Sequence, residues 1–324
     1  MKKHIILLSA AGLLFSSCGV YTKYKPATEV PDGLYGEETA AFTESTDGSP
    51  VATEDSLNRG LGGMDWRELF TDPHLQALIG QGLQNNTDYQ SAQLRVEEAE
   101  ATLLSAKLAF LPSFAFAPQG TVSSFDSHKA TQTYSLPVTA SWELDIFGRM
   151  RNAKKQSKAL YAQSRDYRQA VRTQLIAGIA NTYYTLLMLD QQLAISRQTE
   201  ETWRETVAST RALMNAGMAN ESAVSQMEAT YYQVQTSVLD LEEQINQVEN
   251  SLALLLAETP RRYERGVLAE QQFPADFSIG IPVRMLSCRP DVRSAERTLE
   301  AAFYGTNAAR SAFYPSITLG GSAG

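Results

Sequence analysis

The chain has 324 residues, 20% of them charged, with 28 Lys and Arg against 36 Asp and Glu and a formal net charge of −8. That length allows a large buried core, and the composition is ordinary for a globular or coiled-coil protein. The acidic balance argues against a nucleic-acid partner, whose phosphates select basic surfaces.

Lys2, Lys3 and His4 precede an apolar run from Ile5 to Phe15, followed by Ser16, Ser17, Cys18 and Gly19. A basic n-region, an apolar h-region and small residues make a secretory signal, and the run falls short of the ~20 residues that span a bilayer. A cysteine directly behind small residues resembles a bacterial lipoprotein cleavage site. Residues 1–17 would then be removed and Cys18 would carry the lipid anchor, its acyl chains holding the protein to a membrane. The alternative is an ordinary signal peptide with a chance cysteine. Losing Lys2 and Lys3 with the signal takes the 28 basic residues to 26 against 36 acidic, a charge of −10. Cys288 is then left without an intramolecular disulfide partner and reads as a buried small residue.

Residues 18–63, rich in Gly, Thr, Pro and Glu without a sustained period, read as an extended arm. Residues 64–111 form the first helical region, with helical periodicity from Pro73 to Phe110. Tyr89, Ala92, Val96, Ala99, Leu103, Ala106 and Phe110 step by 3 and 4, the seam of helices wound around each other.

At 112–144 the period changes to two. Tyr134, Leu136, Val138, Ala140 and Trp142 alternate with Thr133, Ser135, Pro137, Thr139 and Ser141, and Phe114 and Phe116 alternate with small residues. This predicts strands at about 112–125 and 131–144 around a polar turn at Asp126-Ser127-His128. Each is long enough to supply the 9–11 residues of a tilted membrane strand, and apolar-out, hydroxyl-in suits a barrel wall with lipid outside and water inside. A lone hairpin would expose unpaired backbone in lipid, so several chains would have to close one barrel. A soluble hairpin covering a core gives the same alternation.

Residues 145–258 read as a long helical hairpin. Its first arm, from Asp145 to about Met214, has no proline and glycine only at Gly148 and Gly178. Its second arm, 221–257, places Val224, Met227, Tyr231, Val234, Val238, Leu241, Ile245, Val248, Leu252 and Leu255 on one unbroken heptad seam. Between them Gly217 suits a left-handed C-cap and Asn220 an N-cap. At ~1.5 Å per residue the first arm reaches ~100 Å and the stretches before Phe110 and Glu258 ~57 Å each, so one full-length helix can lie beside two half-length ones placed end to end.

After a connection at 259–282, residues 283–324 return to the first pattern. Asp88/Asp291, Ser91/Ser294, Ala92/Ala295, Glu97/Glu300, Ala99/Ala302, Ala106/Ala309, Ala109/Ala312, Phe110/Phe313, Pro112/Pro315 and Ser113/Ser316 are identical at an offset of 203, which is 29 heptads, so the seam keeps its register. The expectation is a second repeat cut off a few residues past its proline, at the beginning of a third strand.

Several strings now resemble one family, the outer membrane factors, efflux ducts of the TolC and OprM type. Ser141-Trp142-Glu143-Leu144-Asp145-Ile146-Phe147-Gly148-Arg149 is similar to its S-W-E-x-D-x-F-G-R signature. Ile281-Pro282, then Arg289-Pro290-Asp291-Val292 and Ala295-Glu296, resemble its I-P…R-P-D-[IV]…A-E string, and the run from Trp66 to Leu75 its W-x-x-[LF]-F-x-D-x-x-L. The resemblance implies a mainly α fold of long coiled-coil α-barrel helices, with a membrane β-hairpin contributing to a trimeric β-barrel of twelve strands. It implies a homotrimer in the outer membrane, lipid-anchored at Cys18 and extending into the periplasm. Substrate would pass through without chemistry or cofactor, delivered by an inner-membrane pump through a periplasmic adaptor. Gly217, Met218 and Ala219 match the family's V-G-[LA] tip where adaptors dock, with Ala216 in place of the valine. Asp145 and Arg149 would fix the strand-to-helix corner, and Arg289, Pro290 and Asp291 would start a helix, Pro at N1 and Asp in the first turn. The family's aspartate gate belongs to the second repeat and is not expected here.

No H-E-x-x-H, G-x-S-x-G, P-loop or dinucleotide string is present, and His4, His74 and His128 stand apart, so neither an enzyme nor a metal site is expected. A lipoprotein peptidoglycan enzyme is a distant alternative. The main alternative is a periplasmic coiled-coil scaffold or adaptor lipoprotein without a pore, which would need neither the alternating hairpin nor the Ser-Trp-Glu-Leu-Asp corner.

Overall fold

The computed structural model describes residues 23–25, 65–123, 130–272 and 289–324. The signal segment with Cys18, the turn at 126–128, Ile281-Pro282 and Cys288 lie outside them. The fold is mainly helical, with long helices and small sheets: α1 (Trp66–Leu69), α2 (Pro73–Asn85), α3 (Thr87–Leu108), β1 (Ser113–Phe116), β2 (Gln119–Ser123), β3 (Thr131–Ser135), β4 (Val138–Leu144), α4 (Arg149–Asn215), α5 (Glu221–Leu256), α6 (Pro290–Ser311) and β5 (Ile317–Ala323). Among the described residues no helix is long and apolar enough to cross a membrane.

The helical stretch expected from Pro73 to Phe110 is two helices. Asn86 leaves helical geometry (φ −61°, ψ 125°), its Oδ1 accepts from the Tyr89 amide at 2.9 Å, and its Nδ2 donates to the Leu255 carbonyl at 3.0 Å. A short amide side chain that bonds nearby backbone competes with the helix ladder.

The two expected strands are four. β1 pairs with β4 and β2 with β3, and one register runs through both ladders, from Phe116↔Val138 to Gln119↔Ser135. The interruption falls at Ala117-Pro118 opposite Leu136-Pro137, because proline offers no N–H to a ladder. β5 adds to the far side of β4, with Trp142↔Leu319 and Leu144↔Ile317, giving the order β1-β4-β5.

The chain divides into two compact units. The helical unit, which includes 65–93 and 168–272, is built on Leu75 and Ile79 of α2, Ile179, Tyr183, Leu186 and Leu187 of α4, and Leu252 and Leu256 of α5, all essentially inaccessible. All ten heptad positions of α5 are buried or half-buried. A polar knot is closed inside this unit. The buried Tyr183 hydroxyl donates to Asp72 at 2.6 Å and accepts from the Gly266 amide at 2.9 Å, while Gln271 donates to Asp72 at 2.8 Å. Burial alone would raise the Asp72 carboxyl, but hydrogen bonds from Tyr183, Gln271 and the His74 and Leu75 amides outweigh it and hold it below the usual value. Arg265 pairs with Asp190 of α4 (2.9 Å) and with Glu249 of α5 (2.6 Å), so each of these charges has a partner.

In the sheet-bearing unit, which includes 94–167 and 289–324, α4 lies between α3 and α6. Lys154 and Tyr167 of α4 meet Phe110 and Arg95 on the α3 side. On the other side Asp166 pairs with Arg293 at 2.9 Å and Gln163 donates to Ser294 at 3.2 Å. Tyr24 packs its ring on Phe303 of α6. The repeat is visible in the elements, since α3 and α6 are both 22 residues long and begin 203 residues apart. Their seams are treated oppositely. Ala92, Val96 and Leu103 are buried, whereas Val292, Leu299 and Phe313 are 42, 58 and 90% exposed. The buried residues of α6 are Ala301, Asn307 and Ser311, one helical face away.

Candidate membrane wall and helical tip

Register places the side chains of the sheet on two faces. Phe114, Phe116, Val138, Ala140, Trp142 and Leu144 share one face with Ile317 and Leu319, while Ser113, Thr139, Ser141 and Glu143 share the other with Thr318 and Ser322. In β2 and β3 the same parity separates Val122 and Tyr134 from Thr121, Thr133 and Ser135. No residue of β1, β2, β3 or β5 is buried, and Phe114, Phe116 and Tyr134 are 72, 62 and 72% exposed. An apolar face of this size on a monomer in water would be an aggregation surface, whereas lipid satisfies it directly. A soluble hairpin would have put that face on a core.

The strand-to-helix corner is held by the Trp-Glu-Leu-Asp string. Asp145 accepts from the amides of Met150 and Arg151, both at 2.9 Å, and from Arg151 Nε at 3.1 Å, so a carboxylate closes the start of α4. Arg149 donates to both oxygens of Glu143 at 2.7 Å. Gly148 has φ +73°, a conformation that favours glycine. Phe147 stacks on Tyr314 at 4.9 Å, and the Trp142 indole donates to the Phe110 carbonyl at 2.9 Å. The sequence reading named neither Glu143 nor Tyr314 as a partner, although Glu143 lies in the Ser141–Arg149 string. The signal was available for Glu143, a carboxylate within a few residues of an arginine across a tight turn.

The tip between α4 and α5 is a Schellman turn. The Met218 amide donates to Leu213 and the Gly217 amide to Met214, both at 2.9 Å, with Gly217 at φ +72°. Asn220 caps α5 by accepting from the Ala223 amide at 2.8 Å. Met218 is 76% exposed, Ala219 is half-buried, and a side chain at position 217 would meet open space. At the start of α6, Pro290 occupies the first turn and Arg289 pairs with Asp291 at 2.7 Å in the open.

Residues 78–258 match the family model described as outer membrane efflux protein. The antibiotic efflux pump outer membrane protein ArpC of Pseudomonas putida is 28% identical over 333 residues, an alignment covering 100% of this chain and 67% of that protein. The probable outer membrane lipoprotein SilC of Salmonella typhimurium is 30% identical over 258 residues, covering 78% of this chain and 56% of its own. Among solved structures, CusC superposes with a TM-score of 0.74 at 24% identity over 94% of this chain and 67% of that one, a likeness of fold. The chain thus spans about two thirds of the length of ArpC and CusC. These matches separate the transport reading from the scaffold and enzyme readings: the chain belongs to the outer membrane efflux protein family and is an outer-membrane channel component of an efflux system.

Proposed function

We propose that the protein is a passive duct. Three copies close one barrel in the outer membrane, Cys18 carries the lipid anchor, and small molecules delivered by an inner-membrane pump arrive through a periplasmic adaptor. The observation that carries this reading is the two-faced sheet with no buried residue, whose apolar side fits lipid and whose hydroxyl side fits a water-filled lumen. Its edges at β1 and β5 call for further strands, because unpaired backbone groups cannot be left in hydrocarbon. The helices support the same closure. α3 buries its seam and leaves Leu94 and Leu108 open, while α6 meets α4 through Arg293, Ser294 and Tyr304 and leaves its seam open. Each repeat helix therefore has a second face for a second long helix, as a ring requires.

Adaptor docking is assigned to Gly217, Met218 and Ala219, where the Schellman turn leaves Met218 largely exposed. The reaction demands no catalytic residue, and Trp142, Asp145, Phe147, Gly148, Arg149, Arg289, Pro290 and Asp291 serve to shape corners. Native mass spectrometry of the protein extracted in mild detergent tests the assembly: three copies are expected, and a monomer would contradict the duct. In cells relying on this protein for export, Met218→Asp is expected to abolish efflux at unchanged abundance and copy number. Efflux that survives the substitution would remove the tip from the docking surface.

A further inference from the structure

The first ten residues of α4, from Arg149 to Lys158, include Arg149, Arg151, Lys154, Lys155 and Lys158 and no acidic residue. This is the wrong sign for a helix N-terminus, whose dipole favours anions; α5 and α6 start with Glu221 and Asp291. Arg149 and Arg151 are accounted for by Glu143 and Asp145. The lysines are not. Among the described residues no carboxylate lies within ion-pair distance of Lys154, Lys155 or Lys158, and all three are exposed. The same site recurs on both neighbours. Lys107 and Arg310 are repeat mates, 203 residues apart, each exposed in the last turn of its helix and without a described ion pair. The last ten residues of α4, 206–215, carry only Arg211, which pairs with Glu228. In a chain with net charge −8, five uncompensated cations therefore gather where the helices meet the sheet.

Their placement follows the apolar face. Lys154 lies 5.5 Å from the centre of the Phe110 ring, and the Phe110 carbonyl receives the indole of Trp142, an apolar-face residue. Lys155 sits 5.4 Å over Tyr304 of α6. At ~1.5 Å per residue, Lys154 and Lys155 lie ~8 Å along α4 from its start, at the outer limit of the ~5–8 Å that headgroups occupy on each side of the hydrocarbon, and Lys158 lies ~14 Å along, reaching that level by its long flexible stem. The Trp142 indole beside them is the amphipathic ring expected at that boundary.

We propose that Lys154, Lys155 and Lys158, with Lys107 and Arg310, form a cationic collar that binds the phosphates of anionic lipid headgroups in the leaflet on the helix side of the sheet. The collar rests on the reading of that sheet as a membrane wall. It gives the protein a lipid preference and fixes its depth, since the lysines hold headgroups at the level where the apolar face ends.

The test uses the protein extracted from membranes and reconstituted with spin-labelled phosphatidylglycerol or phosphatidylcholine, reading the motionally restricted lipid by electron paramagnetic resonance. Phosphatidylglycerol is expected to be preferred roughly two- to fivefold, and the preference to collapse toward one in about 1 M salt. The K154Q/K155Q/K158Q variant is expected to lose most of the preference, and K154R/K155R/K158R to keep it. Equal affinity for the two lipids, or a preference untouched by the glutamine variant, would overturn the collar while leaving the membrane wall standing. Absence of any restricted lipid would instead overturn the wall. Adding inorganic phosphate at constant ionic strength should change nothing, and a selective drop would assign the site to soluble phosphate and overturn the lipid proposal.

Discussion

α3 and α6 are the same helix twice, and the molecule uses them differently. They match in length, in heptad register and in the aromatic-Pro-Ser that ends them, and both lie against α4. Yet α3 buries Ala92, Val96 and Leu103, whereas α6 exposes Val292, Leu299 and Phe313 and buries Ala301, Asn307 and Ser311. Heptad spacing states that a face is fit for a helical partner; it does not state which neighbour is present. Burial is decided by what each copy meets in the fold: α6 meets α4 through Arg293, Ser294 and Tyr304, away from its seam.

The largest expected effect tests this directly. Leu103→Ala should cost about 3 kcal/mol, because a buried leucine leaves a cavity, while Leu299→Ala on the exposed seam of α6, the repeat mate of buried Val96, should change stability by no more than about 0.5 kcal/mol. Denaturant titration of the two variants in detergent gives both numbers, and equal costs would break the comparison. The reverse substitution sharpens it. Ala301 is 3% exposed, so Ala301→Leu should overpack the α4 contact at a cost of about 1–3 kcal/mol, whereas Glu98→Leu, its exposed repeat mate, should be near neutral by the same measurement.

A smaller effect separates two carboxylates at helix starts, Asp72 as the cap of α2 and Asp291 in the first turn of α6. Both Asp72 and Asp291 are held below the ordinary carboxylate value: Asp72 by Tyr183, Gln271 and backbone amides against the opposing pull of burial, Asp291 chiefly by Arg289. A depressed folded value means stability fully present above the unfolded value and lost as pH falls through the folded one. Acid titration of unfolding should therefore lose its slope below about pH 4 in Asp72→Asn and keep it in Asp291→Asn, because Asp291 is exposed and screened. An unchanged slope in Asp72→Asn would show that the polar knot does not set acid stability.

Much of this was legible in the sequence. The heptads of α5, the glycine cap at 217 and the alternation of the hairpin follow from periods of 3.5 and 2 and from turn chemistry, all local properties. What was not legible depended on a distant partner. Asn86 breaks a good helical pattern while its Nδ2 bonds Leu255, 169 residues on, and Asp72 is fixed by Tyr183 and Gln271, which share no period with it. The strand interruptions were half legible: Pro118 and Pro137 were in view, but that they face one another, so that a single register survives, required the pairing. The exposed seam of α6 could not be read at all, because its sequence differs little from the buried one.

A duct of this kind requires the sheet to be a membrane wall with lipid on one face and water on the other. Single cysteines at Phe116, Val138 and Leu319, and at Thr139, Ser141 and Thr318, with Cys288 replaced, would be probed in native membranes with lipid-soluble and water-soluble thiol reagents. The lipid-soluble reagent is expected to label the first three and the water-soluble reagent the second three. Equal labelling of all six by the water-soluble reagent would contradict the membrane wall.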